Sequence, residues 1–127
     1  ARVARFGERD VQRLLQDPGI VRHRGKIEAV VNNARRALEL VEAEGSLAAF
    51  VWRFEPDPRS LPPPQSRSTS PESVALSKAL KKRGWTFVGP TTVYAFMQAM
   101  GLVNDHVPGC VVRERAQRAR RTFRRPG

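Results

Sequence analysis

One turn in this sequence concentrates groups that bind anions. The run Asp17-Pro-Gly-Ile-Val-Arg-His-Arg-Gly-Lys-Ile27 joins two helical stretches and carries Arg22, His23 and Arg24, with Lys26 just inside the second helix. Unbonded backbone N–H groups and the positive end of the dipole make a helix start a place for phosphate. Gly19 and Gly25 allow a backbone to approach a ligand closely. Cations at that end oppose the dipole, so an anionic partner accounts for the cluster better than a solvated hinge does. On this basis Arg22, Arg24, Gly25 and Lys26 are read as phosphate anchors.

Two other groupings carry weaker signals. His106-Val-Pro-Gly-Cys110 pairs an imidazole with a thiol at a spacing that can reach one zinc ion. Structural zinc wants four ligands, and the sequence has two histidines and one cysteine in all, so the residues alone favour a buried thiol beside a capped histidine. Lys78, Lys81 and Lys82 form a basic stripe at i, i+3 and i+4 on a third helical stretch; a solvated face is the ordinary account, and Lys81 and Lys82 are kept as nucleic-acid candidates. No paired carboxylates, nucleophile triad or phosphate-loop pattern occurs, and Asp105 is a candidate base only by elimination. No catalytic residue is assigned.

The elements that position these groups read as helices almost throughout. Val11, Leu14 and Leu15 give a short helix that stops before Pro18-Gly19. Ile27, Val30, Val31, Ala34, Leu38 and Val41 fit one helical face, ending at Glu44-Gly45. Leu47 to Phe54 reads as a further short helix. Glu55 to Ser70, with five prolines and four serines, reads as an extended surface loop. A helix then starts either with a Thr69/Glu72 capping box or with Ser70 ahead of Pro71, and stops at Gly84. Pro90 opens another, with Val93, Phe96, Met97 and Met100 as its core face, closing near Gly101. No strand alternation is found, and the class is all-α. The paired helices around the basic turn look like a helix-hairpin-helix element, without its usual Gly-x-Gly.

Length and composition bound the answer. With 127 residues, 40% hydrophobic and 28% charged, the sequence suits one conventional helical domain rather than two, and no apolar run is long enough for a membrane span. The opening residues show no secretory leader pattern, and one unpairable cysteine suits a reducing, cytoplasmic setting. The first residue is alanine, so a fragment is one expectation. Net charge is +11, from 23 Lys and Arg against 12 Asp and Glu. Residues 111–127 hold seven Arg and one Glu, hence +6, and are read as a solvated, locally disordered tail suited to non-specific nucleic-acid binding. The domain is therefore set at 1–110 and the tail at 111–127.

The strings LLQDPGIVRHRGKIEAVVNNARRAL, ALSKALKKRGWTFVGPTTVYAFMQAMGLVNDH and HVPGC resemble the bacterial DNA-3-methyladenine glycosylase type I family, from about Arg9 to Cys110. The resemblance implies an all-α helix-hairpin-helix glycosylase and hydrolysis of the N-glycosidic bond of 3-methyladenine in alkylated DNA; the expected partner is double-stranded DNA and the expected state a monomer. It also implies a structural zinc with two Cys and two His, of which His106 and Cys110 match one pair and so regain a ligand role. The family's other zinc ligands, and the Glu, Trp and Tyr that read the flipped base, lie in an N-terminal segment with no counterpart here. The chain is accordingly expected to be an N-terminally truncated glycosylase, inactive alone. Some members carry serine at the position of Ala95, near the base pocket. A non-catalytic helical DNA-binding module is the competing reading, and a protein-interaction domain without salt-sensitive DNA binding is a third.

Overall fold

A computed structural model describes residues 1–57, 68–104 and 111–126. Six α-helices follow a short 3-10 turn at Val3–Arg5: α1 (Glu8–Leu15), α2 (Arg24–Glu44), α3 (Leu47–Trp52), α4 (Pro71–Lys82), α5 (Pro90–Met100) and α6 (Val111–Thr122). No strand occurs among the described residues, so the class is all-α. The chain divides into two compact units: residues 1–47 with 80–88, and residues 48–79 with 89–127. That division does not follow a boundary at 110/111.

In the first unit α2 is the central element. Arg35 on one side of it donates through Nε to Ala4 O (2.9 Å) and through Nη2 to Phe6 O (3.1 Å), holding the 3-10 turn. On another side Asn33 clamps the loop after α4: its Nδ2 donates to Thr86 O (2.8 Å), and Thr86 N–H donates to its Oδ1 (2.9 Å). Asn32 Nδ2 donates to Gly84 O (2.9 Å), and Arg83 Nη2 lies 2.5 Å from Glu44 Oε1. A helix held from two directions does not bury one stripe. Ile27, Ala29, Val31 and Leu40 are the buried set, whereas Val30, Leu38 and Val41, expected in the core face, are exposed.

In the second unit the buried part of α5 is Val93, Tyr94 and Met97, followed by Leu102 and Val103. Tyr94 turns the core sector away from the expected face, which leaves Phe96 and Met100 exposed. Of the two possible starts for α4, the structure uses Ser70: its Oγ accepts from Ser73 N–H (3.1 Å), while Ser73 Oγ accepts from Ser70 N–H (2.9 Å). Pro71 then occupies the first helical position, where its missing N–H costs nothing. Gly84 (φ +87°) and Gly101 (φ +85°) sit just past α4 and α5 in the region that favours glycine.

The arginine-rich end is ordered as a helix where a disordered tail was expected. Ala116, Ala119 and Phe123 share one stripe of α6 with Val112, and Phe123 stacks on Trp52 with ring centroids 4.7 Å apart. Arg113 Nη1 donates to Asn104 O (2.9 Å), and Arg120 Nη1 donates to Gly101 O at the end of α5. The Gly101 carbonyl lies at the C-terminal, negative end of α5, so a guanidinium there is favoured by the dipole as well as by the hydrogen bond. Composition registered the charge of this segment and passed over the apolar stripe beneath it.

Candidate nucleic-acid interface

The basic turn lies within the first unit, between α1 and α2. Asp17 Oδ1 accepts from Gly19 N–H (2.8 Å) and tightens the exit from α1. His23 is the N-cap of α2: its backbone is extended (φ −113°, ψ 112°), and Nδ1 accepts from Lys26 N–H at 3.1 Å. The ring thus satisfies one of the four unbonded donors of the helix start. A Cβ on Gly25 would come within 3.0 Å of His23 Cε1 and 3.3 Å of Nδ1, so glycine at 25 is what lets the imidazole fold onto the helix. Phe87 supports the ring from the side, edge to face at 6.4 Å and 73°. Phe87 has φ +55°, a strained backbone for a bulky residue, held where Asn32 and Asn33 grip residues 84–86. Sequence patterning gives no sign of this prop, because no rule of spacing marks a positive φ at phenylalanine.

The four assigned anchors do not share one role. Arg24 is taken up internally: Nη2 lies 2.7 and 2.8 Å from the two Glu8 carboxylate oxygens, and Nε lies 2.7 Å from Glu28 Oε1. Its hydrogen bond to Glu8 raises the Arg24 pKa, and the same bond, helped by Gln12, holds Glu8 below the usual carboxylate range. For Arg24 these two carboxylates supply the anion that sequence reasoning sought outside the chain. Gly25 acts through the His23 cap. Arg22 and Lys26 remain: both are exposed, and neither side chain makes an ion pair among the described residues. The mismatch with the helix dipole therefore narrows to two residues, at the place where helix donors face outward.

Lys81 and Lys82 are exposed in the last turn of α4, where cations also suit the negative end of that helix. His106, Cys110 and Asp105 lie outside the described residues. No group of three or more His, Cys, Asp or Glu side chains close enough to hold a metal occurs among the described ones. In the second unit, Trp52, Ala95, Ala99, Ala116, Ala119 and Phe123 line much of an open, largely apolar groove of about 730 Å³. Ala95 is exposed on α5.

The methyladenine glycosylase family pattern matches residues 1–114. The chain belongs to this family. DNA-3-methyladenine glycosylase 1 of Escherichia coli K12 is 50% identical over 113 residues, covering 86% of this chain and 60% of the relative. The DNA-3-methyladenine glycosylase of Haemophilus influenzae is 43% identical over 113 residues, covering 86% and 61%. The chain thus spans about 60% of the length of these curated relatives. A crystal structure of a 3-methyladenine DNA glycosylase I superposes with a TM-score of 0.76 at 49% identity, covering 87% of this chain and 63% of that one. The Staphylococcus aureus glycosylase I, solved to explain 3-methyladenine recognition, gives 0.79 at 36%, covering 87% and 61%. Those superpositions support an all-helical, helix-hairpin-helix-like fold for this chain. Most of α6 lies beyond the family match. No helix among the described residues is long and apolar enough to cross a membrane.

Proposed function

We propose that the chain serves base-excision repair as the DNA-holding portion of a glycosylase that hydrolyses the N-glycosidic bond of 3-methyladenine in alkylated double-stranded DNA. The observation that carries the reading is the 50% identity over 113 residues, a stretch that includes most of the chain. The exposed Arg22 and Lys26 beside the start of α2 support it as phosphate contacts, which set position and carry no damage specificity. An N3-methylated adenine is cationic and already a good leaving group, so catalysis leans on extruding the nucleotide and holding the base. No catalytic residue is assigned to this chain, and the groups that read the base are attributed to the N-terminal segment of the family. The reading further takes the protein as a cytoplasmic monomer. For the metal, His106 and Cys110 are proposed as two ligands of a structural zinc; imidazole and thiolate fit its donor chemistry, and the ion would cross-link the fold.

The test is chromatographic detection of free 3-methyladenine released from alkylated DNA. The 127-residue chain is compared with a fusion carrying the N-terminal segment of the Escherichia coli relative ahead of Ala1. No release by the chain and clear release by the fusion are expected. Release by neither, with equal binding to damaged and undamaged duplex, would favour a non-catalytic DNA-binding module. Excision by the 127 residues alone would return attention to a carboxylate in this chain, starting with Asp105.

A further inference from the structure

The fold sorts the seven arginines of residues 111–127 into two classes. Arg113 and Arg120 are half-buried and hold the carbonyls of Asn104 and Gly101, while Arg120 and Arg125 pair with Glu55 at 3.3 and 3.8 Å. These three anchor the helix. Arg115, Arg118 and Arg121 recur every three residues of α6, stepping from beside the apolar stripe round to the side away from it, all exposed, and Arg124 follows just beyond its end. One carboxylate shares this face: Glu114, 4.0 Å from Arg118 in a pair whose side chains are both largely exposed, at 80% and 76%. Such a pair is worth little in water and leaves the guanidinium available. Arg115, Arg121 and Arg124 make no ion pair among the described residues.

We propose that this outward face of α6 is a second, sequence-independent grip on the phosphodiester backbone of double-stranded DNA, outside the part of the chain that the family pattern covers. The inference rests on DNA being the partner, as in the proposed function, and adds a contact which that reading does not need.

Three features favour duplex DNA. Arg115 to Arg121 spans six residues, or about 9 Å of helix, enough to meet two or three phosphates at ~3.4 Å of duplex axis per phosphate on one strand. Guanidinium forks match phosphate oxygens in geometry as well as charge. The apolar stripe of α6, Ala116 and Ala119 continuing into Phe123, borders an open groove beside Trp52, on which the Phe123 ring packs. A membrane-surface helix would need that stripe for the acyl boundary, and a single-strand platform would need an aromatic beside the arginines. The outer face has neither.

The experiment titrates a fluorescent, undamaged duplex with the full chain at several salt concentrations. Variants are Arg115→Gln/Arg118→Gln/Arg121→Gln, the same three positions changed to Lys, and Arg22→Ala/Lys26→Ala. Glutamine and lysine are good helix formers, so α6 should persist in both triple variants. The glutamine triple should lower the salt slope by about three contacts, shrinking the affinity lost between 50 and 200 mM salt roughly 40-fold. The lysine triple, which keeps the charges, should retain the slope. An unchanged slope in the glutamine triple, with a reduced slope in the Arg22/Lys26 variant, would overturn this proposal and leave the hairpin reading standing. No change in either would remove DNA as the partner and this proposal with it. Loss of binding only to phosphatidylserine vesicles would reassign the face to a membrane surface and likewise overturn it.

Discussion

Residues adjacent in the basic turn carry separable duties. Arg22 and Lys26 are exposed and make no side-chain ion pair among the described residues, whereas Arg24 closes onto Glu8 and Glu28. Arg22→Ala and Lys26→Ala should each weaken binding to damaged and undamaged DNA alike, and each should reduce the salt slope by about one contact. Arg24→Ala should leave the slope nearly unchanged. Equal slope losses for all three, in a salt titration, would show that Arg24 leaves its carboxylates for phosphate. The same pair sets an acid response. Arg24 holds the Glu8 carboxyl below its ordinary range, and the Gly7 N–H, donating to Asp10 Oδ2 at 3.1 Å, does so for Asp10. A carboxyl depressed in the folded state contributes stability that is present above its unfolded value, about 4.3 for Glu, and lost as pH falls through the folded one. Thermal midpoints should therefore drop between about pH 5 and pH 3, and Glu8→Gln should drop less. A drop in Glu8→Gln as large as in the parent would place the acid sensitivity elsewhere.

Helix positions were legible at the scale of elements because their signals are local. Pro18-Gly19 stops α1, Ser70-Pro71 starts α4, and Gly84 and Gly101 close α4 and α5. Which faces are buried was less legible. A single stripe on α2 was read from Ile27 to Val41, but α2 is held from two directions, so Val30, Leu38 and Val41 stay exposed. The grip by Asn32 and Asn33 was invisible because asparagine in a helix carries no apolar period, and its partners Gly84 and Thr86 lie more than fifty residues away. In the candidate site the cations were legible as a cluster, but their division was not, because Glu8 reaches Arg24 across the turn from α1. The clamp makes its own prediction. Asn33→Ala removes both bonds to Thr86 and should cost about 1–2 kcal/mol in denaturant unfolding. It should also release Phe87 from its positive φ and loosen the His23 cap, so DNA affinity should fall with little change in salt slope. Wild-type affinity in Asn33→Ala would mean that the His23 cap needs no support from the 84–87 loop.

At the scale of the whole molecule, charge and metal make different demands on the chain. Of the +11 charge, +5 is spread over residues 1–110, while +6 falls in residues 111–127, where α6 carries most of the arginines. The metal demands convergence instead. Two His and one Cys fall one short of four nitrogen and sulfur ligands, and His23 already commits Nδ1 to the start of α2. Only His106 and Cys110 have the spacing of a pair, and half a tetrahedral site binds zinc weakly. After dialysis against chelator, elemental analysis of the 127-residue chain should find well under one zinc per chain. The fusion carrying the family's N-terminal segment should retain about one, because folding and metal binding share their free energy when ligands come from distant segments. In that fusion His106→Ala or Cys110→Ala should lower the thermal midpoint, whereas in the 127-residue chain neither should shift it by more than a surface substitution does, about 0.5 kcal/mol. Stoichiometric, chelator-resistant zinc in the 127 residues would show that this chain completes the site itself. The thermal cost of His106→Ala would then appear without the added segment.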